Sequence, residues 1–193
     1  MPACTSNQQL NNGATVNRFV LSAFFASTVV LTAAPASAQG YNPFQIGAAG
    51  GIAFPTADLG NAANTGYDVA VMVGYKSQDT PIGVRAEAAY NQFGSRVFNG
   101  NVTIPSFTGN LVFGLPTGML SPYAIGGAGL YRTNVNLAGG GSAGENHFGF
   151  NIGGGIKIPL STSFETFIEA RYNRVTVNNG SFSFIPVTFG VLF

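Results

Sequence analysis

Residues 182–193 read FSFIPVTFGVLF, and the alternation in this stretch decides the fold. Ile185, Val187, Phe189, Val191 and Phe193 fall on one face of an extended chain, and Phe184, Pro186, Thr188, Gly190 and Leu192 on the other. Side chains that alternate between two kinds of surroundings mark a strand, and β-branched and aromatic residues favour one. In a soluble domain the larger face would meet a core. The rest of the chain indicates that here it meets lipid.

Of 193 residues only 8% are charged while 46% are hydrophobic. That balance points to a membrane protein, yet no segment after the leader has the roughly 20 apolar residues of a spanning helix. The longest apolar run, Phe19 to Ala34, has another reading. Arg18 precedes an apolar core from Phe19 to Leu31, and Ala36-Ser37-Ala38 supplies the small residues of a cleavage site. Residues 1–38 therefore read as a signal peptide cut before Gln39, leaving 39–193 as one domain. The alternative is an uncleaved anchor, for which the run is short. The polar leader Met1 to Val16 is long, which points to Val16 as the true initiator. Cys4, the one cysteine, lies before the apolar run, so neither lipidation nor thiol, disulfide or thiolate-metal chemistry is expected of the exported chain. Without Arg18, seven Lys and Arg balance seven Asp and Glu, and no basic excess remains for nucleic acid.

From Phe44 onward the sequence divides into alternating segments of about ten residues between turn signals, the pattern of a transmembrane β-barrel. Eight strands are expected, at 44–55, 66–76, 82–94, 104–115, 123–135, 147–159, 164–177 and 182–193. The second is unbroken, with Tyr67, Val69, Val71, Val73 and Tyr75 against Asp68, Ala70, Met72, Gly74 and Lys76. The fifth sets Tyr123, Ile125 and Tyr131 against Arg132 and Asn134. Segments 56–65, 95–103, 136–146 and 178–181 read as loops. The fold class expected is an all-β, eight-stranded antiparallel up-and-down transmembrane barrel.

The charges support this reading. A soluble sheet would load its solvent face with Lys and Glu. Here the faces opposite the apolar ones carry Gly, Ala, Asn and Thr with few ions, and only Arg174 projects from an apolar face, near a strand end. A charge facing outward at mid-bilayer would cost about 2–4 kcal/mol. Tyr67, Tyr75, Tyr90, Tyr123, Tyr131 and Tyr172 fall on faces read as outward and suit interfacial girdles. An eight-stranded barrel is narrow enough for its inward side chains to fill it. Asp68, Arg85, Glu87, Arg132, Lys157, Glu169 and Arg171 are accordingly expected to form a paired polar network in the interior.

Four stretches carry a family resemblance: SPYAIGGAGLY at 121–131, NHFGFNIGGGIKIPLS at 146–161, FIEARYNRV at 167–175 and the final phenylalanine. With them the chain from Tyr41 to Phe193 resembles the bacterial outer-membrane β-barrel domain family of small OmpA- and OmpX-like proteins and surface antigens. The resemblance implies residence in the outer membrane among its lipid and lipopolysaccharide, with short turns in the periplasm and longer loops outside. It also implies that Ile185, Val187, Phe189, Val191 and Phe193 are the signal read by the outer-membrane assembly machinery. A monomer is expected. No peptidoglycan-binding extension follows Phe193, and the loops are short and poor in charge, which argues against adhesion or invasion.

Catalytic chemistry is thinly represented. His147 is the one histidine, with Ser142 and Glu145 nearby, but the His-x-Ser spacing of barrel deacylases is absent because Phe148-Gly149 follows. The glycine runs at 126–127, 139–141 and 153–155 lack the helix and Lys-Ser/Thr pair of a phosphate loop. No calcium-loop spacing or zinc ligand set occurs, so no cofactor is expected. The reading is a barrel with a structural or surface-interaction role and no catalysis; a narrow porin is the alternative and a lipid-modifying enzyme a distant third. Pro186 fits the last strand poorly, since a closed barrel needs a ladder donor there unless the strand carries a bulge.

Overall fold

The computed structural model describes residues 43–193 apart from 78–79, 98, 116, 118–119, 138–140, 162–163 and 179, with the side chains of 58, 136–137 and 141–143 also outside it. The expected leader, 1–38, lies outside the described residues. Eight strands follow in order: β1 Phe44–Thr56, β2 Gly66–Lys76, β3 Ile82–Gly94, β4 Gly100–Gly114, β5 Ser121–Leu137, β6 Gly141–Ser161, β7 Phe164–Val177 and β8 Gly180–Leu192. A short helix, α1 (Ala57–Ala62), lies between β1 and β2, inside the stretch expected to be plain loop.

Each strand pairs antiparallel with its neighbours, and β8 closes on β1. Starting at Pro55 of β1, the paired residues run through Phe184, Asn173, Asn151, Gly127, Asn110, Arg85 and Gly74 and return to β1 at Gln45, ten residues below the start. For eight strands such a stagger corresponds to a tilt of about 40° and a backbone radius of about 8 Å. Ten tilted residues then span about 25 Å along the axis, the height of an apolar transmembrane band.

The outward faces are apolar along their length. Val69, Val71 and Val73 of β2 stay 49–62% exposed, as do Ile46, Leu111, Ile152, Ile168 and Phe189 at comparable levels on other strands. The opposite faces are buried and polar, with Asp68, Arg85, Glu87, Thr108, Asn110, Asn151, Glu169, Arg171 and Asn173 all under a tenth exposed. A sheet that hides its ions and shows its aliphatic residues is stable only in hydrocarbon. No described helix is long and apolar enough to cross a membrane; the strands do the crossing.

One strand is turned relative to the sequence reading. On β5 Tyr123, Ile125 and Tyr131 point inward and are 6, 2 and 1% exposed, whereas Ala124, Ala128, Leu130 and Arg132 are exposed. Tyr123 and Tyr131 therefore leave the expected girdle. Size misled, because β6 offers room to these side chains at Gly149, Gly153 and Gly155, the last two directly opposite Ile125 and Tyr123. An added Cβ would meet the Tyr131 ring at 2.8 Å from Gly149 and the Tyr123 hydroxyl at 2.7 Å from Gly155. Tyr67, Tyr75, Tyr90 and Tyr172 remain on the outside.

The glycine-rich stretch expected as a loop at 136–146 is largely ladder, since β5 and β6 stay paired out to Leu137 and Gly141. Glycine weakens a strand but leaves its backbone donors intact. Pro186 needs no bulge. It pairs with Ala53 of β1, and the β7–β8 ladder is interrupted between Ala170↔Val187 and Asn173↔Phe184 and then resumes in the same register, so the missing donor falls in that gap.

Candidate functional site

The lumen holds the buried polar groups of the molecule, and three layers fill it. At the end carrying α1, Ala53, Ala63, Phe93, Ile104, Tyr131, Val175 and Phe184 form a buried apolar cluster, with Leu59 of α1, Val102 and Phe182 packed on it. Phe184 stacks edge-on against Phe93 and Tyr131, with centroids 5.6 and 6.5 Å away. Arg96 pins α1 over this end, donating from Nε to Asn64 Oδ1 at 2.7 Å and from Nη1 to the Gly60 carbonyl at 3.2 Å. Toward the opposite end a second cluster joins Ala70, Met72, Tyr123, Ile125, Phe167 and Leu192.

Between the two lies the charged layer. Register places Arg85 and Glu87 on β3 and Glu169 and Arg171 on β7, spaced by two so that each pair faces inward. Arg85 Nη2 donates to both oxygens of Glu169, at 2.8 and 2.6 Å, and its Nε stands 3.6 Å from Glu87 Oε2. Arg171 Nε stands 2.8 Å from Glu169 Oε1 as an ion pair, and Nη2 donates to Glu87 Oε1. Tyr123 adds its hydroxyl to Glu169 Oε2 at 2.7 Å, and the Arg85 guanidinium lies over the Phe167 ring. Two guanidiniums and two carboxylates thus form a crossed array between opposite walls of the barrel. Pairing and hydrogen bonding are what let buried ions persist.

The other residues expected in this network divide. Asp68 is buried, 3% exposed, but makes no ion pair within 4 Å among the described residues, and its Oδ1 has no hydrogen-bond partner there. Lys157 lies inside at the end away from α1 and pairs with Glu165 at 3.6 Å, apart from the central array. Arg132 is a correction: with β5 turned, it stands on the exterior and donates to Asn134 Oδ1 at 3.1 Å. Tyr131, which the sequence reading placed outside, bonds Asn173 Oδ1 at 2.9 Å, and Asn151 bonds Asn110 Oδ1 at 2.9 Å. The glycines facing Tyr123 and Tyr131 across β6 were the available signal for both tyrosines.

Ile185, Val187, Phe189, Val191 and Phe193 share the exterior face of the last strand, with Val187, Phe189 and Phe193 exposed and Ile185 and Val191 half-buried. His147 sits near the upper end of β6 with Nε2 3.7 Å from Glu145 Oε2, and Glu145 is open to solvent. The side chain of Ser142 lies outside the described residues. Among the described residues no group of His, Cys, Asp and Glu is placed to hold a metal ion.

Residues 23–193 match the model of a family described as the outer membrane protein beta-barrel domain. Among solved structures, the chain is similar to Neisserial surface protein A, at 18% identity and a TM-score of 0.64 over 80% of this chain and 98% of that one. It is also similar to a major outer membrane protein of Thermus thermophilus, at 11% identity and a TM-score of 0.51 over 79 and 99%, and to OprG of Pseudomonas aeruginosa, at 14% and 0.50 over 80 and 98%. At these identities the likeness concerns the fold. No curated protein matches the sequence.

Proposed function

Because the chain belongs to the outer membrane protein beta-barrel domain family, we propose that it is an integral outer-membrane barrel with a structural or surface-interaction role and no catalytic activity. The observation that carries this reading is the filled lumen, in which apolar clusters lie on both sides of the Arg85–Glu87–Glu169–Arg171 array. A path for solutes would need those layers to part and four buried ions to lose their partners, at several kcal/mol. Export proceeds through cleavage before Gln39. The outward residues of β8 are the signal for the assembly machinery, membrane lipid and lipopolysaccharide surround a monomer, and the α1 end faces the outside.

Planar-bilayer recording of the purified protein tests the closed lumen. No stable conductance steps are expected. Reproducible single-channel openings would replace this reading with that of a narrow porin.

A further inference from the structure

Turning β5 places a second cation on the outside of the barrel. Among the described residues, Arg132 and Arg174 are the charged side chains that the membrane-spanning parts of the strands present outward, and both are exposed. Each is braced through Nε, Arg132 on Asn134 Oδ1 at 3.1 Å and Arg174 on Ser181 Oγ at 3.2 Å. Neither guanidinium has a carboxylate of the described residues within 4 Å, so the Nη groups of both forks remain open to a ligand.

The register fixes their heights. Arg174 stands opposite Phe150 of β6, Phe150 opposite Ala128 of β5, and Arg132 lies four residues further along β5 toward the α1 end. In the tilted sheet, crossing from β7 to β5 descends about 6 Å and four residues climb about 10 Å, so the two arginines lie within about 4 Å of one level. Around the circumference they are about 16 Å apart, pointing in different directions. Below them Leu130, Phe148, Phe150 and Tyr172 face outward. Two unpaired guanidiniums of one sign at the upper rim of an apolar wall meet the level at which a leaflet carries its phosphates, and a guanidinium fork binds phosphate bidentately.

We propose that Arg132 and Arg174 are two anion contacts on the barrel exterior that each take a phosphate of the phosphorylated glycolipid of the outer leaflet. The spacing assigns them to neighbouring headgroups. The assignment to the outer leaflet rests on the orientation proposed above.

The test is titration of the purified protein in neutral detergent with diphosphoryl lipid A, monophosphoryl lipid A, phosphatidylglycerol or phosphatidylethanolamine, read by native mass spectrometry. Diphosphoryl lipid A is expected to bind about tenfold more tightly than phosphatidylethanolamine and more tightly than the other two. R132Q/R174Q should lose about tenfold and R132K/R174K an intermediate amount, since lysine keeps the charge but not the fork. Retained heat-modifiable mobility reports folding; if the double variant fails to fold, R132Q and R174Q alone should each lose about threefold. Unchanged binding in the glutamine variants, or equal binding of phosphatidylglycerol, overturns the proposal. Maleimide labelling of V97C on intact cells separates the two readings. An unlabelled Val97→Cys overturns the orientation and with it the outer-leaflet source, whereas a labelled one with no preference for lipid A overturns this proposal alone.

Discussion

Replacing Glu169 by alanine removes the carboxylate on which the charged layer converges. Glu169 accepts two hydrogen bonds from Arg85 and one from Tyr123, forms an ion pair with Arg171 at 2.8 Å, and is 1% exposed. Arg171 would keep Glu87, but Arg85 would retain only the 3.6 Å approach to Glu87 Oε2, and the Tyr123 hydroxyl would lose its partner. Breaking a buried ion pair from one side costs about 3–5 kcal/mol, because the remaining charge stays buried and uncompensated. The stranded hydroxyl adds about 1 kcal/mol. Guanidinium-induced unfolding of the protein refolded into phospholipid vesicles, followed by heat-modifiable mobility, reads this as a lower midpoint at unchanged slope. Replacing Arg85 and Glu169 together by methionine should recover most of the loss, since well-packed apolar groups substitute for buried pairs at little cost. A loss below about 1 kcal/mol in Glu169→Ala, or a double replacement as damaging as the single one, would show that this array does not hold the lumen together.

Other outcomes follow from the same layers. Asp68→Asn should leave stability unchanged or raise it, because Asp68 is a buried carboxylate without an ion pair among the described residues; the same unfolding assay checks it. Gly190→Ala should cost about 1–3 kcal/mol, since its Cβ would enter the Phe167 ring, whereas Gly109→Ala, with nothing within 4 Å, should be neutral or slightly stabilising. Tyr131→Phe should cost about 1 kcal/mol by leaving Asn173 Oδ1 unpaired; no effect would indicate that the hydroxyl lies outside.

Most of the architecture was legible because two-residue periodicity is enforced by the contrast between hydrocarbon and a polar lumen. β2, β3 and β7 begin and end where the alternation does, and their inward ions are the ones expected. The reading failed on β5, where Ala124, Gly126 and Ala128 make the lipid face small while the lumen face carries Tyr123, Ile125 and Tyr131. There the size of a residue is set by its neighbours on β6, Gly155 opposite Tyr123, Gly153 opposite Ile125 and Gly149 diagonal to Tyr131, which one strand in isolation does not show. Arg132 was misplaced with it. α1 was missed because six residues between two strands carry too little periodicity to stand out from a loop. Pro186 does mark a ladder defect, but whether it is absorbed by a bulge or by a gap depends on the facing strand.

The most direct test of the whole account is fractionation of cells expressing the full chain, followed by electrophoresis with and without boiling. The protein is expected in the outer-membrane fraction, resistant to extraction by alkaline carbonate, with an unboiled form whose mobility differs from the boiled one. Recovery in the soluble periplasmic fraction, at a mobility that boiling leaves unchanged, would contradict it.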